Sequence, residues 1–266
     1  MSLLVDTHST QAPKRIRDLV EQREEKRGLL IAFEGPEGSG RSTQRGLFKD
    51  WLTSEKYKLA ERKFGASALV KPLLKARKKL HALSPREHSL LLAADYRNRL
   101  EDSILPALWE GETVVADRYL FTSLARDISR GMDLHWLMNI YQPILWPDIV
   151  FYFSVSADKL ADRRTSKKKA PKFYDAGQDV TEMEDARASY REFINRVVGQ
   201  YEALSLIFQF VTVDTDKSIY EQSRVLRDRF KQMERRRWAE WNLDPVAEWL
   251  VGRRRDSEEE TGESQA

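Results

Sequence analysis

The chain contains no cysteine. That absence excludes a disulfide scaffold, a zinc ribbon, an iron–sulfur cluster and a cysteine nucleophile, and it fits a reducing compartment. Histidine is scarce, with four residues in 266. The nearest pair, His81 and His88, lacks the i, i+4 spacing that sets two imidazoles on adjacent helical turns, so a His-based metal site is not expected. No apolar run approaches the roughly 18 residues of a membrane span, and the polar first thirty residues lack the apolar centre of a secretory signal. The expected location is cytoplasmic, with no membrane partner. Neither charge sign dominates: 45 Lys and Arg against 42 Asp and Glu leave a net charge of +3. That balance argues against a protein that coats nucleic acid with one large positive field, although local basic patches are compatible with it.

What is present is enough apolar surface for a core, 41% hydrophobic and 10% aromatic residues, in a length that suits one α/β domain with appendages. Residues 1–27 read as a polar, charge-mixed arm. Residues 28–230 form the expected domain, 231–255 a basic, Trp-containing helical appendage, and 256–266 (DSEEETGESQA) a disordered acidic tail. Apolar runs of strand length occur at 29–33, 113–116, 149–155 and 210–213, and a weaker one at 58–62. Helical stretches separate them, which predicts right-handed crossovers and a parallel sheet of about five strands covered on both faces: an α/β fold. One helix start is explicit, with Ser84 as cap, Pro85 at the first helical position and Glu87 completing a capping box.

The most specific segment is IAFEGPEGSGRSTQ, residues 31–44. An apolar strand runs into a glycine-rich turn and then a helix, and Gly35, Gly38 and Gly40 let successive N–H groups curl inward before a helix N-terminus. The spacing is that of G-x-x-x-x-G-K-[ST], with Arg41 where the lysine belongs. Gly35, Pro36, Glu37, Gly38, Ser39, Gly40, Arg41, Ser42 and Thr43 are therefore the expected phosphate-binding set. Ser42, with Thr43 as second choice, is the hydroxyl expected on Mg²⁺.

This segment resembles the FEGxDGxGKSTQ signature of the thymidylate kinases, with Glu37 in the acidic slot. The likeness continues through residues 28–230. ADRYLFTSLA at 116–125 is similar to that family's DRYxxSxLA stretch, LSPREHSLLLAADYRNRLEDSILPALWEG to the long helix before it, and WPDIVFYFSV to the strand before the lid. The resemblance implies a P-loop nucleoside monophosphate kinase, passing the γ-phosphate of ATP to a nucleotide 5′-phosphate with Mg²⁺, and it suggests a homodimer. Asp117, at the carboxyl end of a central strand, is then suited to hold Mg²⁺ or its waters, and Arg118 to clamp the acceptor phosphate. The expected lid, ADRRTSKKKAPKFYDAG at 161–177, breaks helical periodicity and carries Arg163 and Arg164 among several lysines; lid arginines supply positive charge at the transferred phosphate in one type of these kinases.

Three departures from the family pattern accompany these matches. Arg41 replaces the loop lysine; a guanidinium keeps the charge with a wider, planar set of donors. RKFGAS at 62–67 stands where REPGGT is usual, so Phe64 replaces the proline that shapes the acceptor pocket. Tyr96 occupies the place of the arginine that contacts the thymine ring, with Arg97 about 100° further round the helix, and Leu92 replaces an aromatic. Glu37, Arg62, Phe64, Leu92, Tyr96, Arg97 and Arg118 are the expected acceptor-binding residues. Other readings are a kinase of another donor or acceptor such as polyphosphate, and a nucleotide-binding module that has lost catalysis and acts as a sensor or partner subunit. Nucleic-acid binding through Arg235–Arg237, Arg253–Arg255, Trp238, Trp241 and Trp249 is outweighed by an amphipathic helix docked on its own domain.

Overall fold

The computed structural model describes residues 28–63 and 67–235. The expected arm, the acidic tail, most of the appendage with its Trp residues and every Arg beyond Arg235, and Phe64 lie outside that range. Strands β1 (Leu30–Glu34), β2 (Leu59–Lys63), β3 (Thr113–Asp117), β4 (Ile149–Ser154) and β5 (Val211–Asp214) form one sheet in the order β2-β3-β1-β4-β5. Every pairing is parallel. The helices are α1 (Arg41–Ser54), α2 (Lys71–Lys79), α3 (Pro85–Arg99), α4 (Leu105–Trp109), α5 (Leu120–Ile128), α6 (Leu134–Tyr141), α7 (Ala157–Thr165), α8 (Phe173–Ala176), α9 (Gln178–Thr181), α10 (Ala186–Ile207) and α11 (Ile219–Arg235), with a π-helical turn, Leu100–Ile104, joining α3 to α4.

Alternation along β1 explains the layering. Leu30 and Ala32 face a core shared with α3, α5 and α10, through Tyr96, Leu124 and Tyr201 among others. Ile31 and Phe33 face the opposite core, with Phe48 and Trp51 of α1 and Phe230 of α11. Successive strand side chains point to opposite faces, so a sheet covered on both sides takes apolar residues at every position. Each expected strand appears within a residue or two of its place, consistent with ends set by ladder hydrogen bonds rather than by hydrophobicity.

Two boundaries differ from the sequence expectation. The lid segment opens as helix α7, which Ser156 caps through its hydroxyl at 3.4 Å from the Lys159 N–H; Arg163 and Arg164 therefore sit on a last helical turn. The break placed after residue 230 falls inside α11, which continues to Arg235. The expected helix start is present: Ser84 Oγ accepts from Glu87 N–H at 3.2 Å, and the Glu87 carboxylate also takes a fork from Arg77 at 2.8 and 2.9 Å.

Candidate active site

β1 delivers the chain into the glycine loop at the carboxyl end of the sheet, beside β3 and β4. Gly35 has φ 139°, and a Cβ there would lie 3.1 Å from the Phe153 carbonyl oxygen; a side chain would be strained by the backbone and crowd β4. Gly40, at φ 84°, caps α1 in the left-handed region, and no side chain caps that helix. Thr43 N–H already donates to Gly40 O at 3.1 Å, so the Arg41 and Ser42 N–H groups and the positive end of the helix are what the first turn offers an anion. Ser39 is buried and its hydroxyl has no hydrogen-bond partner. An uncapped helix, a tightly curled backbone and an orphaned hydroxyl fit a polyphosphate. Pro36 is buried at the base of the loop, while Glu37, Ser42 and Thr43 are exposed on its rim.

Arg41 is buried against this loop. Its Nη1 donates to the Gly35 carbonyl at 2.5 Å, and its Nε and Nη2 both lie 3.1 Å from Asp117 Oδ1. The parallel register that sets Phe33 beside Asp117 places the carboxylate there. Burial lowers the Arg41 pKa, as does the nearby Arg118, against the opposing pull of Asp117. Asp117 Oδ2 lies 3.6 Å from Arg45, one turn further along α1.

Arg118 follows at φ 70°, a strained backbone for a non-glycine residue, fixed by its N–H donating to Phe33 O at 2.9 Å. Its Nε is buried without a partner. The strain is held by Glu34, which sequence reasoning missed. Glu34 Oε1 accepts from the Tyr119 N–H at 2.7 Å; Oε2 accepts from Thr122 Oγ1 at 2.6 Å and Tyr201 Oη at 3.2 Å. Burial raises the Glu34 pKa, and these hydrogen bonds oppose the rise. Its sequence signals were the acidic letter of the FEG signature and its place directly after the apolar run 29–33. Arg126 was also missed: its Nη2 donates to Tyr174 O at 3.2 Å, and burial followed by the neighbouring Arg130 lowers its pKa to about 10.

The lid closes over the loop through Arg163, whose Nη1 donates to Gly38 O at 2.7 Å, while Lys167 lies 3.9 Å from Glu37. Arg164 instead braces the lid itself, donating to Lys169 O at 2.9 Å and Ala170 O at 3.3 Å.

Of the expected acceptor residues that are described, several have partners of their own. Tyr96 is 1% exposed, with its hydroxyl 3.1 Å from both Tyr119 Oη and the Leu145 N–H. It packs in the core: its ring lies edge-on against Tyr119 and Tyr141 and its hydroxyl is engaged. Arg97 is held by the Gln142 carbonyl, with Glu101 at 3.7 Å. Arg62 donates to Ser103 O on the π-helical turn at 3.4 and 3.3 Å. Leu92 is buried at 8% exposure.

A family model described as thymidylate kinase matches residues 33–223, spanning the loop, the strained Arg118 and the lid. The chain belongs to the thymidylate kinase family. Among its relatives, a protein named "Probable thymidylate kinase 2" from Saccharolobus solfataricus is 33% identical over 195 residues, 73% of this chain and 91% of that protein. A "Probable thymidylate kinase" from Thermococcus kodakarensis is 31% identical over 54% of this chain and 75% of its own length. A "Thymidylate kinase" from Finegoldia magna is 30% identical over 63% and 85%. Membership supports nucleoside monophosphate kinase function, with the five-stranded parallel sheet as its scaffold.

The family implies ATP and, with it, Mg²⁺. Of the residues expected to hold the metal, Ser42 fits, being exposed on the first turn of α1 beside the cradle. Asp117 does not, because both its oxygens face guanidinium groups. Among the described residues no three His, Asp or Glu side chains converge on a metal site.

Proposed function

We propose that this member of the thymidylate kinase family transfers the γ-phosphate of ATP to the 5′-phosphate of a nucleoside or deoxynucleoside monophosphate. The observation that carries the reading is the placement of Arg41, a buried guanidinium anchored at the floor of an uncapped phosphate cradle. Phosphoryl transfer asks little covalent chemistry of a protein, so positioned cations and N–H donors supply the catalysis. Gly35–Thr43 wrap the ATP phosphates, and Arg41 directs charge at them. Arg118, with a buried unpaired Nε, takes the acceptor phosphate by the planar fork suited to it. Arg163 brings lid charge to the loop. Mg²⁺, when bound, neutralises charge on the transferred group, and Ser42 is the residue that would hold it.

The test is turnover of the common ribo- and deoxynucleoside monophosphates with ATP and Mg²⁺. One or more acceptors is expected to be phosphorylated, and Arg118→Ala is expected to raise the acceptor KM by more than the ATP KM. Binding of ATP with no turnover of any acceptor would refute the kinase reading.

A further inference from the structure

Arg41, Arg45 and Lys49 recur every four residues on α1, which puts them on one face of the helix. That face lies over the adjacent strands β2 and β3, with Glu61 in the middle of β2 and Asp117 at the end of β3. Lys49 Nζ is 2.5 Å from Glu61 Oε2, Arg45 Nη1 bonds Glu61 Oε1, Arg45 Nη2 is 3.6 Å from Asp117 Oδ2, and Arg41 closes on Asp117 Oδ1 with two nitrogens at 3.1 Å. Cations and carboxylates thus alternate from the surface to the phosphate loop.

We infer that Asp117 is the positioning residue for Arg41 at the buried end of this ladder, and is not a ligand of the metal. The inference rests on the kinase reading of the site. Turning Asp117 toward a metal would strip the buried Arg41 of its carboxylate. The other buried carboxylate that acts on Arg41, Glu34, has both oxygens committed to Tyr119, Thr122 and Tyr201. A dication at Asp117 would also meet the like charges of Arg41 and Arg45, with Arg118 adjacent in the chain. Mg²⁺ has no need of this carboxylate, since it keeps several waters and takes its remaining ligands largely from substrate phosphates. Nε and Nη1 of Arg41 donate to Asp117 Oδ1 and Gly35 O, and Nη2 lies 3.1 Å from the same carboxylate oxygen, so its five N–H donors are only partly used. These contacts fix the plane of the guanidinium, which orients its remaining donors. A lysine, with a single freely rotating ammonium, would not require such an anchor.

The experiment measures Mn²⁺ affinity by electron paramagnetic resonance in the complex of the full chain with β,γ-methylene ATP, alongside steady-state kinetics. Asp117→Asn and Asp117→Ala are expected to leave Mn²⁺ affinity within about twofold, whereas Ser42→Ala weakens it. Arg41→Ala and Asp117→Ala are each expected to lower kcat, and the double variant to fall no further than the single ones, as for two groups acting as one unit. Arg45→Met keeps the Arg41–Asp117 pair, so it covers the case in which Asp117→Ala does not fold. It is expected to lower kcat with Mn²⁺ affinity unchanged. A loss of Mn²⁺ affinity beyond about tenfold in Asp117→Asn, of the size seen when a metal site is disturbed, would overturn the inference alone. So would tighter Mn²⁺ binding in Arg45→Met, or additive losses in the double variant. A wild-type chain that binds no ATP analogue would overturn the kinase reading and the inference with it.

Discussion

Glu34 shows how much one buried side chain governs at this site. Its carboxylate fixes the Tyr119 N–H directly after Arg118, and so holds the residue with φ 70° against relaxation. Because its folded pKa is raised by burial above the ordinary 4.5, the folded state binds that proton more tightly than the unfolded chain. Its contribution to stability is full below pH 4.5 and is lost as pH rises through the folded pKa. Glu34→Gln, which keeps an acceptor for Tyr119, is expected to remove this component. Thermal unfolding from pH 4 upward should show a wild-type midpoint that declines with pH relative to the variant; parallel profiles would refute the assignment. In the sequence Glu34 followed the apolar run 29–33 and stood inside the FEG signature, with no role assigned to it. Thr122 and Tyr201, 88 and 167 residues away, gave it a role.

The strand, loop and helix around residues 30–54 were legible because their determinants are local: an apolar run, glycines at fixed spacing, and a helix begun without a cap. Local conformation also predicts how the element fails. A Cβ at Gly40 would meet nothing within 4 Å, so the cost of Gly40→Ala comes from its φ of 84° alone, about 1–2 kcal/mol for a left-handed L-residue. Gly35→Ala adds a contact with Phe153 O at 3.1 Å, tighter than an ordinary contact, to a φ of 139°. It is expected to cost more stability and more ATP affinity than Gly40→Ala, measured by denaturant unfolding and nucleotide titration; the reverse order would contradict this account. The lid was less legible. The run Arg163 to Lys172 reads as a charged loop, yet the Ser156 cap and the contact of Arg163 with Gly38 O make its first part an ordered helix end. A charge count does not separate a cation that braces the backbone, as Arg164 does, from one that faces the phosphate loop.

At the scale of the molecule, the face behind the phosphate loop is tied together by aromatic side chains. Phe230 of α11 meets Phe48 and Trp51 of α1 edge-on, at 5.6 and 5.7 Å between ring centroids, and is fully buried. Phe230→Ala is expected to cost about 3–5 kcal/mol. ATP affinity should be largely kept while the chain remains folded, because the ring lies toward the far end of α1 from the loop. Denaturant unfolding and nucleotide titration of the same variant check both halves; a stability loss below about 1 kcal/mol would show that the face repacks. The amino-acid sequence by itself determined the α/β class, the five strands and the phosphate loop. Apolar alternation, helix spacing and glycine conformation act over a few residues and need no partner from elsewhere in the chain. Only the tertiary structure decided that Tyr96 is core, that Arg41 meets Asp117 and that α1 carries a ladder of cations over β2 and β3. Those contacts depend on which strands lie side by side and in what register, and parallel pairing across crossovers brings together residues whose separation in the chain carries no signal of their contact.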